Sequence, residues 1–209
     1  MDNSATPDSR RASIYRTLSL LFDKPPDQSL LHELISSGFF DLVSDDDDSP
    51  VCPLHNLDLE DISCEYTRLF LGPGKHVPPF ASVHQSGSQG SGDLWGSTTG
   101  EVQRFMKHYG LSLSKPGTIP DHISVLFEFM EKVILAKIDK NQDVSSTLSR
   151  QKASKVADDL QKQFFSTYIT SWVDEFLAEV DRSQPHVFYG AVIAYSADFI
   201  RQERLLLLA

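Results

Sequence analysis

The residues able to do chemistry in this chain are few, and the most suggestive are Asp121-His122, directly after Pro120. A carboxylate beside an imidazole is the raw material of acid–base catalysis, and a nearby serine would supply a nucleophile. Ser82, Ser86 and Ser124 are available, but none lies in a nucleophile-elbow sequence. Asp at a helix start also has a simpler use: it accepts hydrogen bonds from the free N–H groups of the first turn and meets the positive end of the dipole. Gly72-Pro73-Gly74-Lys75 looks like the end of a phosphate-binding loop. The full loop needs a Gly five residues before the Gly-Lys pair and a Ser or Thr after the Lys. Leu69 and His76 hold those positions, and Pro73 removes an N–H from the cradle, so a turn ending a helix is the better reading. Gly87, Gly90 and Gly92 spell no dinucleotide fingerprint. Cys52-Pro53-Leu54-His55 with Cys64 offers three zinc ligands without a second closely spaced pair. No metal site is expected.

Composition narrows the partners. The chain has 209 residues, 19 Lys+Arg against 29 Asp+Glu, and a net charge of −10. Clustered basic residues are what nucleic acid requires, so that class is excluded; a basic partner suits the balance. Hydrophobic residues make up 40%, too many for a disordered chain. No apolar run approaches the roughly 20 residues of a membrane span. Two cysteines fit reduced thiols in the cytoplasm better than a secreted scaffold. Ser9-Arg10-Arg11 superficially resembles an export signal, but Tyr15, Arg16, Thr17 and Ser19 interrupt the apolar stretch such a signal needs. Residues 1–9 read as a polar tail.

The elements that must position these groups are helical. Ile14, Leu18, Leu21 and Phe22 give one apolar face, halted by Pro25-Pro26; Leu30, Leu31, Leu34 and Ile35 give a second, closed by Gly38. Asp45-Asp46-Asp47-Asp48-Ser49-Pro50 reads as a solvated loop. A helix from about Leu57, with Ile62, Tyr66, Leu69 and Phe70, must end at Gly72-Pro73. Seven of the eleven glycines lie between Gly72 and Gly100, so about 72–97 reads as a long functional loop. Phe80 and Trp95 in that loop must pack back or await a partner. Val102, Phe105, Met106 and Tyr109 form a helix capped by Gly110. Pro120 opens the most apolar helix, through Ile123, Phe127, Met130 and Ile134. Residues 139–149 read as a polar loop. An amphipathic stretch from Val156 to Val180, broken near Ser166, precedes a last helix from Pro185. The expected architecture is an all-α, single-domain multi-helix bundle over 1–209.

Five segments in order resemble the TorD/DmsD-type redox-enzyme maturation chaperones. They are Glu65-Tyr66-Thr67-Arg68-Leu69-Phe70-Leu71-Gly72-Pro73 with Pro78-Pro79-Phe80-Ala81-Ser82-Val83; Leu94-Trp95-Gly96-Ser97-Thr98 with Glu101-Val102; Tyr109-Gly110-Leu111; Pro120-Asp121-His122-Ile123 and its apolar helix; and Trp172 to Phe176 with Phe188-Tyr189. The similarity covers roughly residues 10–203. The resemblance implies a cytoplasmic all-helical private chaperone, not an enzyme. Such a chaperone binds the catalytic subunit of a molybdopterin oxidoreductase, often at its twin-arginine leader peptide, and delays export until the cofactor is inserted. Trimethylamine N-oxide and dimethyl sulfoxide reductases are the first clients it suggests. The family's leader-binding region falls on Tyr66, Leu69, Phe70, Pro79, Phe80, Asp121 and His122. His84 departs from the signature, where an aromatic is commoner, and the Gly/Ser-rich run Gln85 to Gly92 departs as well. No cofactor is expected; weak nucleotide binding is implied by the family alone.

A receptor for such a leader needs an apolar groove for a helical face and carboxylates for an arginine pair. Tyr66, Leu69, Phe70, Phe80 and Trp95 can supply the groove, and Asp121 and Glu65 the carboxylates. His122 is a group able to titrate near neutrality. The contrasting reading is a small-molecule or nucleotide-hydrolysing enzyme built on Asp121, His122 and the 72–97 loop; a client-free scaffold is a third. The long loop leaves both a monomer and a domain-swapped oligomer open.

Overall fold

The computed structural model describes residues 6–38, 58–85, 95–111, 113, 117–143 and 147–209. The acidic run 45–48, the Cys52–His55 stretch and residues 86–92 lie outside the described residues. Nine α-helices and no strand are present among the described residues, and the all-α class is the one the patterning predicts.

Helix α1 (Pro7–Asp23) starts earlier than the expected tail allows. Pro7 suits a first-turn position, whose N–H would be unsatisfied anyway, and the Thr6 side chain accepts from the Ser9 N–H at 3.2 Å. The helix stops before Pro25-Pro26. In α2 (Gln28–Ser36), Asp27 caps the start by accepting from Leu30 N–H, and Gly38 takes the left-handed turn at φ +68°. Helix α3 (Leu59–Tyr66) continues into a π-helical turn at Thr67–Leu71. It ends at Gly72, where a Cβ would sit only 3.1 Å from the Thr67 carbonyl oxygen.

The segment read as one loop, 72–97, contains α4 (Ala81–Gln85). Five residues are too few to show a helical period, and the helix depends on a distant cap described below. Helix α5 (Ser97–His108) closes at Gly110, φ +75°. Helix α6 (Ile123–Asp143) and α7 (Thr147–Phe164) extend into 139–149, which the sequence reading assigned to a loop. Polar residues do not by themselves break a helix; Lys and Gln are good helix formers. The long amphipathic stretch is interrupted by a π-helical turn at Phe165–Ile169, which holds Ser166, before α8 (Val173–Arg182). Helix α9 (Val187–Leu208) follows Pro185.

Helix α6 is central: Leu126, Phe127, Met130 and Ile134 are fully buried, with α1 and α7 laid along it. One aromatic group joins Phe22, Tyr66, Phe70, Phe176 and Tyr189, with centroids 5.1–6.2 Å apart. A second joins Phe105, Phe129, Phe164 and Tyr168. Large rings at these spacings lock helix against helix.

A buried ion network ties the chain's two ends. Glu203, 2% exposed, accepts from Arg11 Nε at 2.6 Å, Arg11 Nη2 at 2.7 Å and the Tyr15 hydroxyl at 2.8 Å. Arg11 also reaches Gln161 and Asp8. Arg11, which in sequence looks like half of an export motif, is therefore a structural residue of the α1–α7–α9 contact. No helix among the described residues is long and apolar enough to cross a membrane.

Candidate functional site

The Pro78–Ala81 and Pro120–Ile123 segments meet as a pair of short extended stretches. Phe80 and His122 form an antiparallel bridge. Ile123 N–H donates to the Pro79 carbonyl at 2.9 Å and Ala81 N–H to the Asp121 carbonyl at 3.0 Å. The rings of Phe80 and His122 stand edge to face at 4.9 Å. This bridge brings together four of the sequence-predicted residues: Pro79, Phe80, Asp121 and His122.

Their roles differ from those expected. Asp121 follows Pro120 and reads as the cap of α6. Instead its Oδ2 accepts from Ser82 N–H at 2.8 Å, so it caps α4, and Asp121 is fully buried. Its Oδ1 accepts no hydrogen bond. Capping of α6 falls one residue later. His122 Nδ1 accepts from Ser124 N–H at 3.2 Å and lies 2.6 Å from the Ser124 hydroxyl. Accepting at Nδ1 puts the ring proton on Nε2. Burial pushes the imidazole down to about 4, against smaller opposing pulls from Asp23 and Asp121. His122 is therefore neutral at pH 7 and does not titrate near neutrality. Asp121 and His122 each point to a different backbone amide, so they do not form the acid–base pair their adjacency suggests.

The other candidates divide by exposure. Tyr66, Leu69 and Phe70 are buried, with at most 2% of each exposed. The Tyr66 hydroxyl donates to the Phe22 carbonyl at 2.9 Å, and burial raises its pKa. These three belong to the hydrophobic core. Glu65 is committed to Arg68 at 2.7 and 2.8 Å and accepts the His186 N–H at 2.7 Å. The hydrogen bonds from Arg68 hold its carboxyl below the usual range. Trp95 is 62% exposed, at φ +77°, just before α5. Phe80 and His122 are partly buried. Of the nine candidates, Glu65, Phe80 and His122 are partly exposed and Trp95 is exposed; the other five are buried.

His84 explains its own departure from the signature. Its ring stacks on Trp172 at 5.4 Å and 20°, stands edge-on to Phe176, and Nε2 lies 2.8 Å from the Pro78 carbonyl oxygen. The imidazole fills an aromatic's place and adds a hydrogen bond. Gln85 fastens α4 outward, to Ser171 at 2.5 Å and Thr98 at 2.7 Å. Sequence reasoning missed Ser124 as the partner of His122, the Arg11–Glu203 network, and Glu131 on α6. A charged residue on the buried side of an apolar helix was the available signal for Glu131.

The family model for the nitrate reductase delta subunit matches residues 51–178. The chaperone protein TorD of Shewanella loihica is 27% identical over 201 residues, which cover 87% of this chain and 85% of that one. TorD of Shewanella piezotolerans is 25% identical over 212 residues, covering 92% and 90%. A crystal structure from Archaeoglobus fulgidus, assigned as a redox enzyme maturation protein, is 22% identical with a TM-score of 0.47. It covers 77% of this chain and 99% of that one.

Proposed function

The chain belongs to the nitrate reductase delta subunit family, and from that premise we propose that it is a private chaperone for a molybdenum-cofactor oxidoreductase. It binds the apo catalytic subunit, holds it competent for cofactor insertion, and engages its twin-arginine leader so that export waits for folding. The cytoplasm is where this happens, and a trimethylamine N-oxide or dimethyl sulfoxide reductase is the first client to test. The relatives it resembles are chaperones by name, not enzymes.

The observation that carries the reading is the span of the family match. Residues 51–178 contain all nine candidate residues, from Glu65 to His122, and the bridge that assembles four of them. The geometry supports binding over catalysis. Asp121 and His122 are spent on backbone amides, while Phe80 offers aromatic surface against His122 and Trp95 exposes its ring at the start of α5. Aromatic side chains of this kind anchor peptides at interfaces. Pro79 and Asp121 hold Phe80 in place through the bridge and the Ser82 cap.

Calorimetry with leader peptides from candidate reductases tests the proposal, with the arginine pair replaced by glutamines as control. Binding that needs the leader supports it. A chain that binds neither leader nor apo-reductase loses this function.

A further inference from the structure

Burial of Asp121 leaves a question of charge. A chaperone that reads an arginine pair needs a carboxylate that solvent and ligand can reach, and Asp121 is not one. A cleft of about 270 Å³ between α1 and the first turns of α6 has what Asp121 lacks. Its charged wall residues are Arg16, Asp23, Glu128 and Glu131, one cation against three carboxylates. Ser124 also lines it. The Ser124 hydroxyl meets His122 at 2.6 Å, and its carbonyl accepts from Ser19 at 2.8 Å. The cleft is therefore one hydrogen bond from the Phe80–His122 bridge.

Glu131 is the residue that points to a ligand. It is 8% exposed, and its ion-pair partner is Arg16, 3.7 Å away with most of its side chain in solvent. Burial lifts the carboxyl above its ordinary range, only partly offset by Arg16. A largely buried carboxylate held by one long, mostly solvated ion pair is poorly compensated, and groups so placed in a cleft cluster where function needs them. Glu128, by contrast, is held by Lys132 at 2.6 Å on the exposed side. No group of three or more His, Cys, Asp or Glu able to hold a metal ion is found among the described residues, so an organic cation is the fitting ligand. A guanidinium presents five N–H donors in a planar fork that matches a carboxylate bidentately. Leu20 and Val125 in the wall suit its methylene stem.

We propose that the α1–α6 cleft is the subsite for an arginine side chain of the client's peptide, with Glu131 as its principal carboxylate. Arg16 is the chain's own weak stand-in, displaced when the peptide's guanidinium enters. The inference rests on the peptide-binding reading above and locates its charge contact.

Calorimetry on the full chain tests it, using a reductase leader peptide with its arginine pair and the same peptide with glutamines. Glu131→Gln should weaken the arginine peptide about tenfold and leave the glutamine peptide unchanged, while Arg16→Gln should bind the arginine peptide at least as tightly as wild type. Glu131→Gln keeps the side chain's size and loses only the long ion pair to Arg16, and a thermal melt confirms its folding. Wild-type affinity in Glu131→Gln overturns the inference and leaves the chaperone reading standing. Weakening by Arg16→Gln also overturns it, since an anion site would behave so. If the wild type binds no leader, N-acetyl-arginine methylamide is titrated while the Glu131 carboxyl carbon is followed by NMR. A saturable shift keeps the cleft and removes the leader, and no shift removes both.

Discussion

Replacing Asp121 separates a cap from a client contact. Its carboxylate takes the Ser82 N–H at 2.8 Å, and Ser82 is only 3% exposed. In Asp121→Ala that amide loses its acceptor where water cannot replace it. An orphaned buried donor costs about 1–3 kcal/mol, and cap removal measured elsewhere falls at about 1 kcal/mol, so about 2 kcal/mol is expected. For a chain of this length that lowers Tm by roughly 4–8 °C. Asp121→Asn behaves differently. It keeps an acceptor for Ser82, and its amide group takes the place of Oδ1, which already lacks a partner. One unpaired polar atom replaces another, so stability should stay within about 1 kcal/mol of wild type. If Asp121 works only as a cap, Asp121→Asn should also bind leader peptide within about threefold of wild type. Circular dichroism melts and calorimetry on the same preparations read both quantities. A tenfold affinity loss in Asp121→Asn at unchanged Tm would refute the reasoning. The carboxylate charge would then meet the client directly, in a conformation other than this one.

Two further perturbations test the network around the site. His122 stays neutral down to about pH 4 when folded, whereas an unfolded histidine protonates near pH 6.5. Between those values the unfolded chain binds more protons, so stability falls as pH drops through the window, by up to about 3 kcal/mol. Asn is a good helix cap, so His122→Asn should keep the fold and flatten the pH dependence of the urea midpoint between about pH 6.5 and 4; a slope unchanged from wild type would assign it to another group. Glu203→Gln leaves the buried Arg11 guanidinium with Asp8 as its remaining counter-charge and should cost less than the about 3–5 kcal/mol of a fully uncompensated buried charge, while Arg11→Met with Glu203→Leu should recover most of that loss. Equal denaturation midpoints for the single and double variants would mean that charge pairing is not what holds α1 to α9.

What the chain order discloses is local. Pro25-Pro26, Gly38 and Gly110 end helices through their own backbone chemistry, and the near-complete apolar coat of α6 marks it as central without any knowledge of its neighbours. What stays hidden is set by residues far apart. Asp121 caps a helix 39 residues earlier, and Arg11 finds Glu203 at a separation of 192. Neither spacing leaves a periodic trace. The π-helical turn at Thr67–Leu71 is hidden for the opposite reason: it is too short to disturb the apolar spacing of Tyr66, Leu69 and Phe70. The candidate residues were therefore legible as a set and illegible as roles. Tyr66, Leu69, Phe70 and Asp121 are buried, while Glu65, Phe80 and His122 are partly exposed and Trp95 is exposed. One functional signal was nonetheless local. Glu131 interrupts Phe129-Met130 and Val133-Ile134 on a helix apolar on most sides, and a charge placed there must be satisfied or used. Arg16 at 3.7 Å does not satisfy it, and this is why the cleft, rather than the Asp121-His122 pair, is the place to look for the arginine.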